Sequence, residues 1–341
     1  MALGLVLWVL VLCSAVLTIA VFIGMQERRA GGTGRRLQRS LTQAETGLSD
    51  ALLGWTPGLL GRRVLHPLDS IAIAGPGSPE PIWRGVIQRL NRGLFLVSVI
   101  AVDRSSQSLA TISTLSRLGW IVRTRPATVA FRAALEAGSA SLGDGSRVDG
   151  TDSPPPGAVD CPDPDSALMD LLTDGDTTLP AAMVPSFEQL AAQATLVLPG
   201  GTWAVAPRLS GGECDVSDPN NWGDPDLPGG DCADYWPVVS VSGNLRVASG
   251  GGQGILLVGG DLVIDGSFRF SGLILVRGKL QTGAPNGQLS LAGAMVAGQA
   301  GSQATPLSGI SITYSKCMIS NALQTTGVLI PLRSRSWKQL F

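Results

Sequence analysis

Histidine is almost absent from this chain: His66, in "VLHPLD", is the only one in 341 residues. A single imidazole beside a proline reads as a structural or exposed residue, not as half of an acid-base pair. No G-x-S-x-G, no Walker loop and no H-E-x-x-H occurs, so the usual hydrolase, nucleotide and zinc-peptidase signatures are missing. Charge is sparse too, at 15% of residues with a net charge of -1. That balance gives no electrostatic reason to expect a nucleic-acid partner. Aromatic residues make up only 5%, yet Trp and Phe fall inside apolar runs, which argues against general disorder. Between Ala2 and Gln26 there is no charged residue at all. The run "ALGLVLWVLVLCSAVLTIAVFIGM" is long enough to cross a bilayer. No short apolar core with a small-x-small cleavage site follows, so the reading is a retained anchor, not a cleaved signal peptide.

What the chain has in quantity is glycine, 44 residues, and proline, 22. Four glycines open matching short patterns: "GNLRV" at Gly243, "GDLVI" at Gly260, "GKLQT" at Gly278 and, more loosely, "GAMVA" at Gly293. They start 17, 18 and 15 residues apart. Short β-rich runs with glycine at the corners and a near-constant period are what a β-solenoid requires. Ile255, Leu257, Leu262, Ile264, Phe268, Phe270, Leu273, Leu275, Leu280, Leu289 and Leu291 alternate with small or polar residues, as half-buried strands do. Leu245, Leu262 and Leu280, each two residues after a corner glycine, should then stack inward one above another. An antiparallel sandwich with glycine turns is the alternative.

Along the chain the reading is an anchor over 1–27, then a linker and amphipathic helix over 28–60. "AGGTG" is taken as a flexible break and Ser40 as the N-cap of "LTQAETGLSDALLGW", with Leu41, Ala44, Leu48 and Leu52 on one face. Residues 61–135 read as an antiparallel meander of "SIAIA", "GVIQRL", "LFLVSVIAV", "SLATIST" and "WIVRTR". Residues 136–235 read as a Pro/Asp/Cys-rich connector containing a short helix at "PSFEQLAAQA". A solenoid-like domain follows over 236–315, and a tail over 316–341. The fold class so derived is mainly β with an N-terminal transmembrane helix, a small antiparallel meander and a short parallel β-solenoid.

Cys161, Cys214, Cys232 and Cys317 form an even set in Gly/Pro-rich surroundings, which suits an oxidising compartment. Pairing Cys214 with Cys232 closes a loop of 17 intervening residues, worth roughly 3 kcal/mol in the chain-entropy picture. Cys161 with Cys317 completes the set, although four cysteines allow three pairings. The enclosed "CDVSDPNNWGDPDLPGGDC" offers Asp215, Asp218, Asn220, Asp224 and Asp226 as hard oxygen ligands. It misses an EF-hand at its fifth position, Trp222, and its twelfth, Gly229. A calcium repeat of the G-G-x-G-x-D type fails at Leu256. No metal, cofactor or catalytic residue is assigned. Orientation is contested: Arg28, Arg29, Arg35, Arg36 and Arg39 follow the anchor and favour a cytoplasmic C-terminal side, whereas the cysteines favour the opposite. The latter is preferred, with a basic leader upstream of Met1 as one reconciliation.

"LVLWVLVLCSAV" followed by "GMQERRAG" resembles the N-terminal segment of PilX-type pilus assembly proteins and of the large minor pseudopilin of type II secretion. The order of "AETGLSDAL", "GSASLGDGSRVDGTDSPP", "CADYWPVVSVSGNL", "GQGILLVGGDLVIDG", "YSKC" and "RSW" extends the resemblance over most of the chain. Two departures stand out: Met1 opens directly onto apolar sequence, and Leu5 and Val6 occupy the region of the usual pilin glutamate, which the tip pseudopilin also lacks. The resemblance implies a non-enzymatic structural protein of the bacterial inner membrane, its C-terminal part periplasmic or at the cell surface. Its partners would be the lipid bilayer, through the N-terminal helix, and other pilin or pseudopilin subunits. The alternative is a surface-anchored β-solenoid that binds or cleaves polysaccharide, with Asp261, Asp265, Arg269, Arg277 and Lys279 as the charged groups on its outer face.

Overall fold

The computed structural model describes residues 2–53, 70–76, 82–91, 94–105, 112–126, 129–154, 161–163, 167–173, 186–225, 230–283, 286–324, 326–331 and 337–340. His66, Asp226 and Gly229, and the residues 54–60 and 332–336, lie outside them. The chain is mostly β, with both antiparallel and parallel sheets.

Helix α1 runs unbroken from Ala2–Leu53. The expected break at "AGGTG" is absent, and the helix carries Gly31, Gly32 and Gly34 at a cost of about 1 kcal/mol each. Ser40 is therefore interior and not an N-cap. Its hydroxyl donates back to the Leu37 carbonyl at 3.0 Å and meets the Ser116 hydroxyl at 2.7 Å.

The transmembrane part of the expected fold class is corrected. Among the described residues no helix is long and apolar enough to cross a membrane. The apolar N-terminal run is not a helix of its own. It belongs to a 52-residue helix that runs on through arginines into contact with a sheet. The single-pass inner-membrane placement and the orientation built on it fall with the anchor.

That sheet is antiparallel, with β1 (Ser70–Ala74), β2 (Trp83–Asn91), β3 (Leu94–Ser105) and β4 (Ile112–Pro126) in sequential order. Residues 112–114, the described end of "SLATIST", join "WIVRTR" in β4. A β-strand has no local cost for the intervening "LSRLG" once β3 pairs along it, from Leu94↔Arg123 to Ser105↔Ile112. Ala44 and Leu48 of α1 pack with Ile87, Phe95, Val97, Val99, Leu118 and Val122, and Leu41 and Leu52 flank them. Gly47 is required there, since a Cβ would overlap the Trp83 ring by approaching its Cγ to 2.5 Å.

The second body winds in parallel coils. β5 (Ala133–Ala137), β6 (Arg147–Asp149) and β7 (Met169–Thr173) precede helix α2 (Phe187–Ala191), which Ser186 caps through a reciprocal bond with Gln189. β8 (Leu196–Leu198) and β9 (Gly201–Val205) form one coil, and the hairpin β10 (Leu209–Ser210) and β11 (Glu213–Cys214) lies in the cysteine loop. β12 (Val238–Val241), β13 (Leu245–Val258), β14 (Leu262–Ile264), β15 (Ser267–Thr282), β16 (Gln288–Ala300) and β17 (Ile310–Tyr314) follow, then helix α3 (Lys316–Leu323). Leu245, Leu262 and Leu280 sit in register on successive coils and are 0% exposed. One face stacks Leu196, Val239, Leu256, Ile274, Met295, Leu135 and Leu171 through seven strands. The coils thus begin at Ala133, not at 236, and the segment expected as a connector supplies both ends of the stack. Its short strands, broken by Asp, Pro and Gly, carry no repeat of their own.

At one corner Gly254, Gly272 and Gly293 stack in register with φ of 108°, 128° and 150°. A Cβ on any of them would meet the peptide carbonyl or main chain of the coil below, and Ala322 of α3 lies 3.2 Å from where the Gly272 Cβ would be. Glycine here meets both the left-handed backbone and the close approach of a helix. The tail expected over 316–341 is not one: α3 packs on β13, β15 and β16, and β18 (Gly327–Pro331) and β19 (Trp337–Leu340) return to pair with β4.

Candidate functional site

Four groups of residues carry chemistry worth weighing. The acidic loop is a plug on the coiled body and not an open cation cage. Trp222 is fully buried, stands edge-on to Phe268 at 6.2 Å and donates its indole N–H to the Pro219 carbonyl at 2.9 Å. Asn221, also fully buried, donates to the carbonyls of Asp215 at 2.7 Å and Arg208 at 3.2 Å and accepts from the Gly223 N–H. Gln253, on the coil beneath, donates to the carbonyls of Cys232, Ala233 and Tyr235 at 2.8 to 3.2 Å. Cys214 joins Cys232, and Cys161 joins Cys317.

The carboxylates of this loop turn to their own backbone. Asp215 accepts from the Ser217 hydroxyl and N–H, and Asp218 accepts from Asn220. Those bonds from Ser217 hold the Asp215 carboxyl below its ordinary 3.8. A depressed carboxyl stabilises the fold above its unfolded value, and that contribution is lost as the pH falls through the folded value. Among the described residues no three metal-binding side chains gather.

The outer-face charges expected to form a polysaccharide site are engaged separately. Arg246 holds both oxygens of Asp265 at 2.7 Å. Arg277 pairs with Glu188 and lies 4.1 Å above the Phe187 ring. Asp261 accepts from the Lys279 N–H at 2.8 Å, just as Asn244 accepts from the Asp261 N–H at 2.9 Å. The second residue of the first two G-x-L repeats, Asn244 and Asp261, therefore tethers one coil to the next. Asp261 and Asp265 flank β14, which as an extended strand sets them about 13 Å apart. Arg269 lies on β15 opposite Gly251 and Ser290, away from both.

Sequence reasoning missed two features. Glu136 is a buried carboxylate on β5, satisfied by the Arg132 N–H at 2.6 Å and guanidinium at 3.3 Å. A groove of about 560 Å³ runs between α1 and the β1–β2 edge, lined by Arg35, Arg39, Gln43, Asp50, Ile82 and Trp83 among others. The i, i+4, i+8 spacing of Arg35, Arg39 and Gln43 was the available signal, since it puts all three on one helix face.

The largest anomaly is the first half of α1. Trp8, Leu12, Val16, Leu17, Ile19, Val21, Phe22, Ile23 and Met25 are 48–71% exposed, on every side of the helix. Contact with the sheet begins only near Ser40. A helix apolar all round is a buried element, so this half is built to be covered. No family model matches the chain, and no curated protein or solved structure matches it.

Proposed function

We propose that the protein is a non-catalytic structural subunit of a fibre-type assembly of the pilus or secretion-pseudopilus kind, in which the first half of α1 packs among the helices of other subunits. The exposed apolar half of α1, continuous with a half docked on an antiparallel sheet, carries this reading. One rigid helix joins a folded head to a surface that only other apolar groups can satisfy. The bonds that engage Asp261, Asp265 and Arg277 within the fold support a scaffold over a polysaccharide enzyme. The two disulfides support a role where mechanical and chemical persistence matter.

Cys13, exposed and unpaired on that half of α1, is a native reporter. Mild copper-phenanthroline oxidation of the full chain is expected to yield covalent dimers through Cys13, and Phe22→Glu to abolish them. Absence of Cys13-linked species at any concentration, or release of unsaturated ends from uronate polymers by the purified protein, overturns the proposal.

A further inference from the structure

We infer that the end of the coiled body at β8 is an interaction surface for a second copy of this chain, which pairs β8 with β8 across a two-fold axis in antiparallel register. Among the described strands β8 pairs only with β12 and β9 only with β13. An edge strand presents unpaired N–H and C=O groups, and proteins normally blunt such an edge with charge. This edge has none, since no charged residue occurs between Glu188 and Arg208. Val197, at the centre of β8, is 72% exposed, and Gly201 and Thr202 are exposed beside it. Pro199 sits at the corner between the strands and leaves both free to pair. Trp203, in register with Val247, is partly buried at the end of the core, so the surface on offer is backbone and Val197.

The opposite end is treated differently, and the difference selects the occupant. There β6 carries Arg147 and Asp149, paired with each other at 3.2 Å, and β7 carries Asp170. Head-to-tail stacking would press the uncharged end against these groups and withdraw them from water with no new partner. A two-fold contact brings uncharged strand against uncharged strand. It also closes, since each copy uses the same patch. Antiparallel pairing is slightly the more stable ladder and sets the two Val197 residues opposite one another. This contact does not rest on the proposed role of α1.

The test uses the full chain with Cys13→Ser, so that helix contacts leave no covalent trace, and Val197→Cys as the reporter. Opposed residues of an antiparallel pair lie within disulfide reach. Mild oxidation should give a covalent dimer, and in a separate sample Val197→Lys should cut the dimer fraction of the Cys13→Ser chain by about tenfold, because like charges then face each other across the pair. A chain that stays monomeric, with circular dichroism unchanged, overturns the inference. Crosslinking of Val197→Cys to Met169→Cys in a mixed sample, without self-linkage, also overturns it, by showing head-to-tail stacking. Should Val197→Lys misfold, the Val197→Cys yield alone decides. Cys13 oxidation in the unsubstituted chain reads the α1 proposal separately.

Discussion

The coiled body and the helix-on-sheet layer bury their residues by opposite logics. In the coils a leucine is covered by the residue 17 or 18 positions away, Leu245 by Leu262 and Leu262 by Leu280, so the partner is written into the period. In the layer Leu118 and Val122 lie under Ala44 and Leu48, with no spacing to announce it. The first kind of burial repeats, and the second depends on where distant elements happen to meet. A repeat also tolerates less at each position, because one altered rung disturbs both neighbours.

The largest effect should therefore come from the middle of the stack. Leu262→Asp places a charge among fully buried leucines with no partner, and such a charge costs about 3–5 kcal/mol. Denaturant unfolding should show a midpoint far below that of the unsubstituted chain. Retention of the original midpoint would mean that the leucine column is not what holds the coils together.

Leu48→Ala is the matching test in the layer. It removes a side chain only 6% exposed at the helix–sheet contact, and the loss should be about 3 kcal/mol from transfer and cavity together. If it instead equals or exceeds Leu262→Asp, the contrast between the two regions is wrong in sign. Gly272→Ala comes next, at about 2 kcal/mol, from a φ that L residues rarely adopt. Its signature is specific, since the added Cβ crowds Ala322 and should loosen α3, read as lost amide-exchange protection over 316–323. Unchanged protection there would separate α3 from the glycine column.

How much of this was legible follows the same division. The period of glycine and leucine disclosed the coils at Gly243, Gly260 and Gly278, but misplaced its looser fourth match, since Gly293 stacks on Gly272 and Ala300 is the residue in register with Leu280. It could not disclose that Ala133–Ala137 and Met169–Thr173 stack beyond β16, since "AALEA" and "MDLLT" share no pattern with "GDLVI". Alternation marked Ile255 and Leu257 as inward, whereas the register sets Leu257 in the column of Ser240 and exposed Val197, and Leu256 and Val258 in the column of buried Leu196 and Leu198, although all four are 0% exposed. α3 packs on the outer face of these strands and buries both sides, and strands covered on both sides read as continuous apolar runs. The apolar N-terminal run was legible as an element demanding cover. Read as a span of its own, it concealed the 52-residue helix to which it belongs. The cysteines narrowed the pairing by loop length alone, whereas Gln253 and Asn221, which seat the acidic loop, gave no local signal.

A smaller effect is expected where the layer is polar. Ser40 and Ser116 share a hydrogen bond at a fully buried point between α1 and β4. Ser40→Ala leaves the Ser116 hydroxyl without that partner, which costs about 1–2 kcal/mol. The double change of both serines to alanine should recover part of the loss. An additive result in a double-mutant cycle would show that the two hydroxyls do not act as a pair.

The smallest effect sharpens the comparison most, because it lies one residue from the largest. Asp261 is half-buried beside the fully buried Leu262, and its Oδ1 accepts from the Lys279 N–H. Asn244, one coil earlier, performs the same task for the Asp261 N–H with an amide oxygen. Asp261→Asn should then keep the tether and shift stability by less than about 0.5 kcal/mol, while Asp261→Ala, which leaves that N–H without its acceptor, should cost about 1 kcal/mol. Thermal unfolding of the two variants side by side separates acceptor from charge. If Asp261→Asn proves as damaging as Asp261→Ala, the negative charge and not the hydrogen bond matters at this corner, and the repeat position is serving something other than the joining of coils.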